Sequence, residues 1–159
     1  MSEPTVMYFA YGSCMGARDF RRTVPEFQRL GKAMLPDFRV GFTLDAEARR
    51  GGVADIVPEP GEVMEGVLFE FPEKYLPLLD EREGTHIGHY RRREVILLHE
   101  GKAVTAWTYE VVDKAAEEIA PSVLYRDLLM EARDVLSHEY MEKLWAHMEK
   151  LRADQGKTE

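Results

Sequence analysis

The order of the predicted elements constrains the fold most strongly, because the strands come first and the helices last. β-rich runs lie within residues 6–112, and turn signals such as Gly51-Gly52 separate them. From Ser122 onward, apolar residues recur at helical spacing. This order predicts an α+β fold in which C-terminal helices pack against a mixed, mostly antiparallel, barrel-like sheet.

Local signals predict the elements and their limits. Strands are expected over residues 6–11, 29–35, 38–44, 53–57, 63–71, 93–99 and 103–112, with turns at 36–37 and 58–61. Gly66 indicates a bulge or a close backbone approach within its strand. Helices are predicted at 16–20 and 74–81, and after the N-caps Ser122 and Ser137. One domain is expected over residues 1–151, and the polar segment 152–159 is predicted to be a frayed tail.

Composition limits the classes of function. The chain of 159 residues carries 21 Lys+Arg and 29 Asp+Glu, a net charge of -8. An acidic surface repels phosphate, so no nucleic-acid partner is expected. The sequence shows neither a signal-peptide pattern nor a membrane-length apolar run, so no membrane partner is expected. The single cysteine leaves no internal disulfide and favours a reducing, cytoplasmic compartment.

The histidines give little support for a metal site. Only the pair His86 and His89 is closely spaced, and no Cys/His pattern accompanies it. The other three are His99, His138 and His147. We therefore expect neither a metal nor another cofactor.

The stretch YFAYGSCM, residues 8–15, ends an apolar run abruptly in Gly12-Ser13. Glycine allows close backbone approach, so several N–H groups of such a turn can converge on a carboxylate or an oxyanion. Taken alone, the stretch fits an ordinary strand-to-helix turn at least as well.

A second candidate is the acidic end of the predicted helix 74–81. Asp80, Glu81 and Glu83 crowd this C-terminus, where the helix dipole disfavours carboxylates by about 0.3–1 kcal/mol each. Either one of these acids has a function or they form a solvated acidic surface. The residues alone favour the surface.

Four segments, in order, resemble motifs of the gamma-glutamylcyclotransferase family. YFAYGSCM resembles the family's YFAYGSNM, and GGVADI with PGEVMEGV resembles its next conserved stretch. LDEREG followed by GHY resembles LDEQEG followed by GMY, and PSVLY resembles the segment before the last helices. Together these segments cover nearly the whole chain.

The resemblance implies a gamma-glutamylcyclotransferase-like fold and a cofactor-free reaction. The α-amine of a γ-glutamyl group attacks its own γ-carbonyl, 5-oxoproline closes, and the attached amine leaves. It implies Glu83 as the general acid/base. The implied substrate contacts are Tyr8, Phe9, Ala10, Tyr11, Gly12, Ser13 and Tyr125, with Tyr90 as a further pocket residue.

Glu83 suits this role if it is partly buried, because burial raises the pKa of a carboxyl towards that of the α-amine that it must deprotonate. Cys14 departs from the family's asparagine, which offers two donors and an acceptor where a thiol is a weak donor. We interpret Cys14 as a packing residue outside the chemistry. The leaving amine and the oligomeric state stay open.

Two other functions compete with the cyclotransferase. One is a non-catalytic small-molecule binding module that uses the same pocket, and the Cys14 substitution is its support. The other is an acyl transferase with Cys14 as nucleophile, which would need a base within reach.

Overall fold

A computed structural model describes residues 3–159 as a closed five-stranded barrel with helices outside it. Neighbouring strands follow the order β1-β3-β2-β4-β5. All pairs are antiparallel except β1 with β5, which meet in parallel at Tyr8 and Trp107. This architecture confirms the predicted fold class. The strands are β1 (Thr5–Ala10), β2 (Gln28–Ala46), β3 (Gly51–Pro72), β4 (Tyr90–His99) and β5 (Lys102–Val111).

The predicted breaks at residues 36–37 and 58–61 are wrong. β2 and β3 run through them as one long hairpin that pairs Gln28 with Glu70 at one end and Ala46 with Gly51 at the other. A register shift at residues 36–38, with Asp37 at φ 65°, accommodates the turn residues as a bulge. Asp37 also accepts the Gly61 N–H at 3.0 Å. Residues that are typical of turns therefore bend these paired strands without ending them.

Gly66 confirms the predicted close approach. A Cβ at this position would lie 2.5 Å from the carbonyl oxygen of Ala10 and 2.6 Å from the Phe9 ring. The absence of a side chain lets β3 lie against the end of β1. This contact fixes the position of the segment that follows β1.

Of the four helices, the two at the C-terminus begin directly after their predicted N-caps, Ser122 and Ser137. The helices are α1 (Ala17–Arg21), α2 (Leu76–Arg82), α3 (Val123–Met130) and α4 (His138–Asp154), with five short 3-10 turns at Ser13–Met15, Glu47–Arg49, Glu73–Tyr75, Thr85–Ile87 and Glu131–Asp134. Ser122 and Ser137 accept the N–H groups of Tyr125 and Tyr140, respectively. Within residues 3–159, no helix has the length and apolarity that a membrane crossing requires.

The end of the chain differs from the predicted frayed tail. α4 continues to Asp154, past the expected boundary at Leu151. Arg152 is buried and donates to the carbonyl oxygens of Pro121, Lys157 and Glu159. Lys157 in turn donates to the carbonyl of Arg50 at 2.6 Å. A polar composition here reflects hydrogen bonding to the body of the protein.

Candidate active site

A cavity of about 680 Å³ opens beside the end of β1. Its walls come from the turn after β1, the loop between β2 and β3, the end of α2 and the start of β4. Glu83 and six of the predicted contact residues line it: Tyr8, Tyr11, Gly12, Ser13, Tyr90 and Tyr125. The fold therefore brings together segments that lie far apart in the sequence.

Phe9 and Ala10 lie outside the cavity. Both are fully buried in the hydrophobic core. Successive side chains of a strand point to opposite faces, so a continuous run cannot line one cavity. Only part of the 8–13 stretch therefore lines the cavity.

The turn after β1 presents backbone to the cavity. Gly12 precedes a short 3-10 helix, Ser13–Met15, and its carbonyl accepts the Met15 N–H at 3.1 Å. The first N–H groups of a helix have no partner within it, so they are available to a ligand. A Cβ on Gly12 would lie 3.2 Å from the Tyr125 hydroxyl. Glycine thus lets the turn approach the tyrosine closely.

Glu83 ends α2 as its C-cap, and its N–H donates to the Leu79 carbonyl at 3.0 Å. Gly84 follows in the left-handed conformation, at φ 71°, and turns the chain away. The half-buried carboxylate reaches the cavity, where its Oε1 accepts the Cys14 thiol at an Sγ–O distance of 3.7 Å. Burial raises the pKa of Glu83, while Arg82, Cys14 and Arg49 act in the opposite direction.

The other two acids of this helix end have different surroundings. Asp80 accepts the Tyr109 hydroxyl at 2.6 Å and pairs with Arg92 at 2.9 Å. Glu81 is exposed at the edge of the cavity. Of the three carboxylates, Glu83 alone is both half-buried and inside the cavity.

Cys14 does more than pack, because it also contacts Glu83. Its place outside the chemistry stays a prediction. Cys14 is 4% exposed, and its thiol is the hydrogen-bond donor to Glu83. Burial and the neighbouring Glu83 carboxylate raise the pKa of the Cys14 thiol well above its usual range. A protonated thiol is a poor nucleophile, which disfavours the Cys-dependent acyl transferase.

Three tyrosine hydroxyls are held by backbone groups around the cavity. Tyr11 donates to the Tyr109 carbonyl and Tyr90 to the Ala54 carbonyl, both at 2.6 Å. The Tyr125 hydroxyl instead accepts the Ala54 N–H at 3.0 Å. Its own proton is therefore free for a ligand. Burial raises the pKa of all three hydroxyls, which keeps them protonated.

Sequence reasoning missed two arginines of this cavity. Arg49 and Arg82 each place an Nη2 atom 3.4 Å from the Ser13 Oγ. Arg82 also forms an ion pair with Asp19. Arg82 lies inside the LDEREG motif, and Arg49 lies two residues before Gly51 of GGVADI, so both are in or close to segments already singled out.

Tyr109, His86 and His89 also line the cavity without having been predicted to do so. Both histidines are exposed. No group of three or more metal-ligating His, Cys, Asp or Glu side chains occurs within residues 3–159.

The chain resembles known proteins in both sequence and fold. Residues 8–127 match the family model described as gamma-glutamyl cyclotransferase, AIG2-like. The human gamma-glutamylcyclotransferase is 32% identical over 151 residues, which cover 91% of this chain and 79% of the human protein. A solved structure named gamma-glutamyl cyclotransferase superposes with a TM-score of 0.85 at 29% identity, covering 90% of this chain and 88% of that one.

A further relative is longer. The putative gamma-glutamylcyclotransferase YkqA of Bacillus subtilis is 35% identical over 154 residues, which cover 94% of this chain. The chain spans about half (54%) of the length of that relative. The similarity therefore involves one portion of the Bacillus protein.

Proposed function

The chain belongs to the gamma-glutamyl cyclotransferase, AIG2-like family, and we propose that it converts a γ-glutamyl amide or amino acid into 5-oxoproline and a free amine. One observation carries the proposal: Glu83 is a half-buried carboxylate with a raised pKa in the cavity that the Gly12-Ser13 turn also lines. A cavity of about 680 Å³ has room for a dipeptide-sized ligand.

Glu83 acts as the base in this proposal. A substrate α-amine has an unperturbed pKa of about 7.7–8.0. A carboxylate with a raised pKa accepts its proton better than an ordinary glutamate does. The amine nitrogen then bonds to the γ-carbonyl carbon, and the bond from that carbon to the leaving nitrogen breaks. Glu83 passes to the departing nitrogen, one after the other, the two protons that the α-ammonium group loses, so the amine leaves as an ammonium ion and the ring nitrogen keeps one hydrogen. One carboxyl thus serves both steps, and no water is consumed.

The turn and the tyrosines hold the substrate. Backbone N–H groups around Gly12 and Ser13 are suited to the developing oxyanion or to the α-carboxylate. The Tyr125 hydroxyl has a free proton to donate, because it accepts from Ala54 N–H. Holding the γ-glutamyl arm in its ring-closing conformation can supply up to roughly 7–11 kcal/mol of the barrier reduction.

No observation favours the non-catalytic binding module, and the carboxylate that we propose as the base lies in the cavity. The single cysteine is a free, buried thiol, which supports the proposal that the protein works in the reducing cytoplasm. The proposed partner is a small γ-glutamyl compound.

Product formation tests the function. Purified protein is incubated with γ-glutamyl-L-alanine, γ-glutamyl-ethylamide and ε-(γ-glutamyl)-lysine, and 5-oxoproline and the released amine are measured by mass spectrometry. We expect equal amounts of 5-oxoproline and amine from at least one compound. Folded protein that gives neither product from any of them would contradict the proposal.

A further inference from the structure

Arg49 is a half-buried cation at the wall of the cavity, on the 3-10 turn Glu47–Arg49 between β2 and β3. Its guanidinium carbon lies 5.8 Å from the centre of the Tyr125 ring, and its Nη2 lies 3.4 Å from the Ser13 Oγ. These two contacts hold the guanidinium at the turn after β1.

Arg49 forms no close ion pair with a carboxylate within residues 3–159, and its charge acts on Glu83 only from farther away. The arginines near it do form such pairs: Arg50 with Glu159 at 3.5 Å, and Arg82 with Asp19. Half-buried cations in proteins are usually paired, because removing a charge from water is costly. A guanidinium left unpaired beside a cavity is therefore suited to an anionic ligand.

Carboxylate is the anion that the proposed function supplies. Its two oxygens match the fork of N–H groups on a guanidinium, which can donate to both at once. The Arg82 Nη2 also lies 3.4 Å from the Ser13 Oγ, so a second guanidinium and a hydroxyl lie beside the guanidinium of Arg49. An amine or a neutral amide offers no such match.

We infer that Arg49 binds a carboxylate of the substrate. This inference rests on the proposed function. Two carboxylates are candidates: the α-carboxylate of the γ-glutamyl group, and the carboxylate of an amino acid that leaves as the amine. If Arg49 binds the α-carboxylate, every γ-glutamyl substrate depends on it. If Arg49 binds the carboxylate of the leaving amino acid, only substrates that have that carboxylate depend on it.

The test compares γ-glutamyl-L-alanine with γ-glutamyl-ethylamide, which differs only by lacking the carboxylate of the leaving group. Arg49→Met removes the guanidinium and keeps an unbranched side chain. Arg50→Met is the matched control, because it removes the next arginine, whose side chain is 72% exposed. Circular dichroism and melting temperatures check that each variant folds, and Arg49→Gln replaces Arg49→Met if that variant does not.

We expect Arg49→Met to lower kcat/KM by about 10- to 100-fold, the effect of losing a hydrogen bond to a charged group, while Arg50→Met stays near wild type. A loss confined to γ-glutamyl-L-alanine assigns the bound carboxylate to the leaving amino acid. An equal loss with both substrates, with the acid limb of kcat/KM against pH unmoved, assigns it to the γ-glutamyl group. An equal loss that comes with a shifted acid limb would show that Arg49 acts through Glu83 and would overturn the inference. Arg49→Met with wild-type kinetics on both substrates would overturn the inference and leave the cyclotransferase intact. Wild-type protein that releases no 5-oxoproline from either substrate would remove both proposals.

Discussion

The thiol of Cys14 donates a hydrogen bond to the carboxylate of Glu83, with Sγ 3.7 Å from Oε1. The two residues are 69 positions apart in the sequence. The bond forms because the turn after β1 and the end of α2 face the same cavity. A small residue of the turn is thereby coupled to the proposed base.

Replacing Cys14 should change the pH dependence of the enzyme. Its hydrogen bond favours the ionised form of Glu83, so Cys14→Ala should raise the pKa of Glu83 further. The acid limb of the profile of kcat/KM against pH then moves to higher pH. On that limb kcat/KM falls roughly two- to tenfold, as expected from a hydrogen bond of about 0.5–1.5 kcal/mol.

Cys14→Ser is the control for that measurement, because a hydroxyl of similar size restores a donor. Its acid limb should lie closer to that of the wild type than the limb of Cys14→Ala does. Coinciding profiles for all three proteins would mean that the thiol does not act on Glu83.

Ionisation of the half-buried Glu83 carboxyl should lower the free energy of unfolding at high pH. Its pKa in the folded state is raised, mainly by burial, so the folded state binds the proton more tightly than the unfolded state does. Stability is then lost as the pH rises through the folded-state pKa. Glu83→Gln has no such titration, so its free energy of unfolding should exceed that of the wild type by more at about pH 8 than at about pH 4.

Urea unfolding at several pH values measures this difference. Glu94→Gln makes the same chemical change on an exposed residue of β4 and should follow the wild type. A gap between Glu83→Gln and wild type that stays constant with pH would show that burial does not raise the pKa of Glu83.

Tyr125→Phe should destabilise the fold by about 1–3 kcal/mol, because the buried Ala54 N–H loses its acceptor. Tyr75→Phe is the matched control, since its hydroxyl bonds to Glu26 at the surface and its loss should cost little. Denaturant unfolding compares the two variants. Equal stability of both would mean that the Ala54 N–H does not depend on Tyr125.

Much of the fold followed from local signals. N-caps, strands and helices are each indicated by residues close together in the sequence. The structure contains both serine caps and the predicted order of strands before helices. Asp37 shows the limit of such signals, because a turn residue becomes a bulge only when a partner strand pairs on both sides of it.

The residues of the candidate site were likewise predicted only in part. Glu83 and the Gly12-Ser13 turn were predicted through motif resemblance, and both line the cavity. Phe9 was misassigned because a motif does not report which face of a strand a side chain occupies. Arg49 was missed because a sequence does not show which charges lack a partner. Only the fold shows that Arg50 and Arg82, the arginines near it, form ion pairs and that Arg49 does not, within the part of the chain that the structure describes.

Glu118 should stabilise the protein at neutral pH. Burial opposes its ionisation, but hydrogen bonds from His147 at 2.8 Å and from the Phe42 N–H at 2.9 Å outweigh burial and lower its pKa. Stability from a lowered pKa is present above the unfolded-state value, about 4.3 for Glu, and is lost as the pH falls through the folded-state value. We expect Glu118→Gln to cost about 1–3 kcal/mol at neutral pH.

Free energies of unfolding across the acid range test this expectation. Glu117→Gln, a change at the exposed neighbouring residue, is the control. The gap between Glu118→Gln and wild type should shrink as the solution is acidified. A gap that is absent at neutral pH, or that widens in acid, would contradict the assigned pKa.

The rate of 5-oxoproline formation by Glu83→Gln, measured beside Glu94→Gln and wild type, tests the central claim most directly. We expect Glu83→Gln to lose about 10²- to 10⁴-fold in kcat, the usual contribution of a general acid/base, with an unchanged circular dichroism spectrum. Glu94→Gln should keep the wild-type rate. A Glu83→Gln protein that forms 5-oxoproline at the rate of Glu94→Gln would show that the base of this reaction is another group.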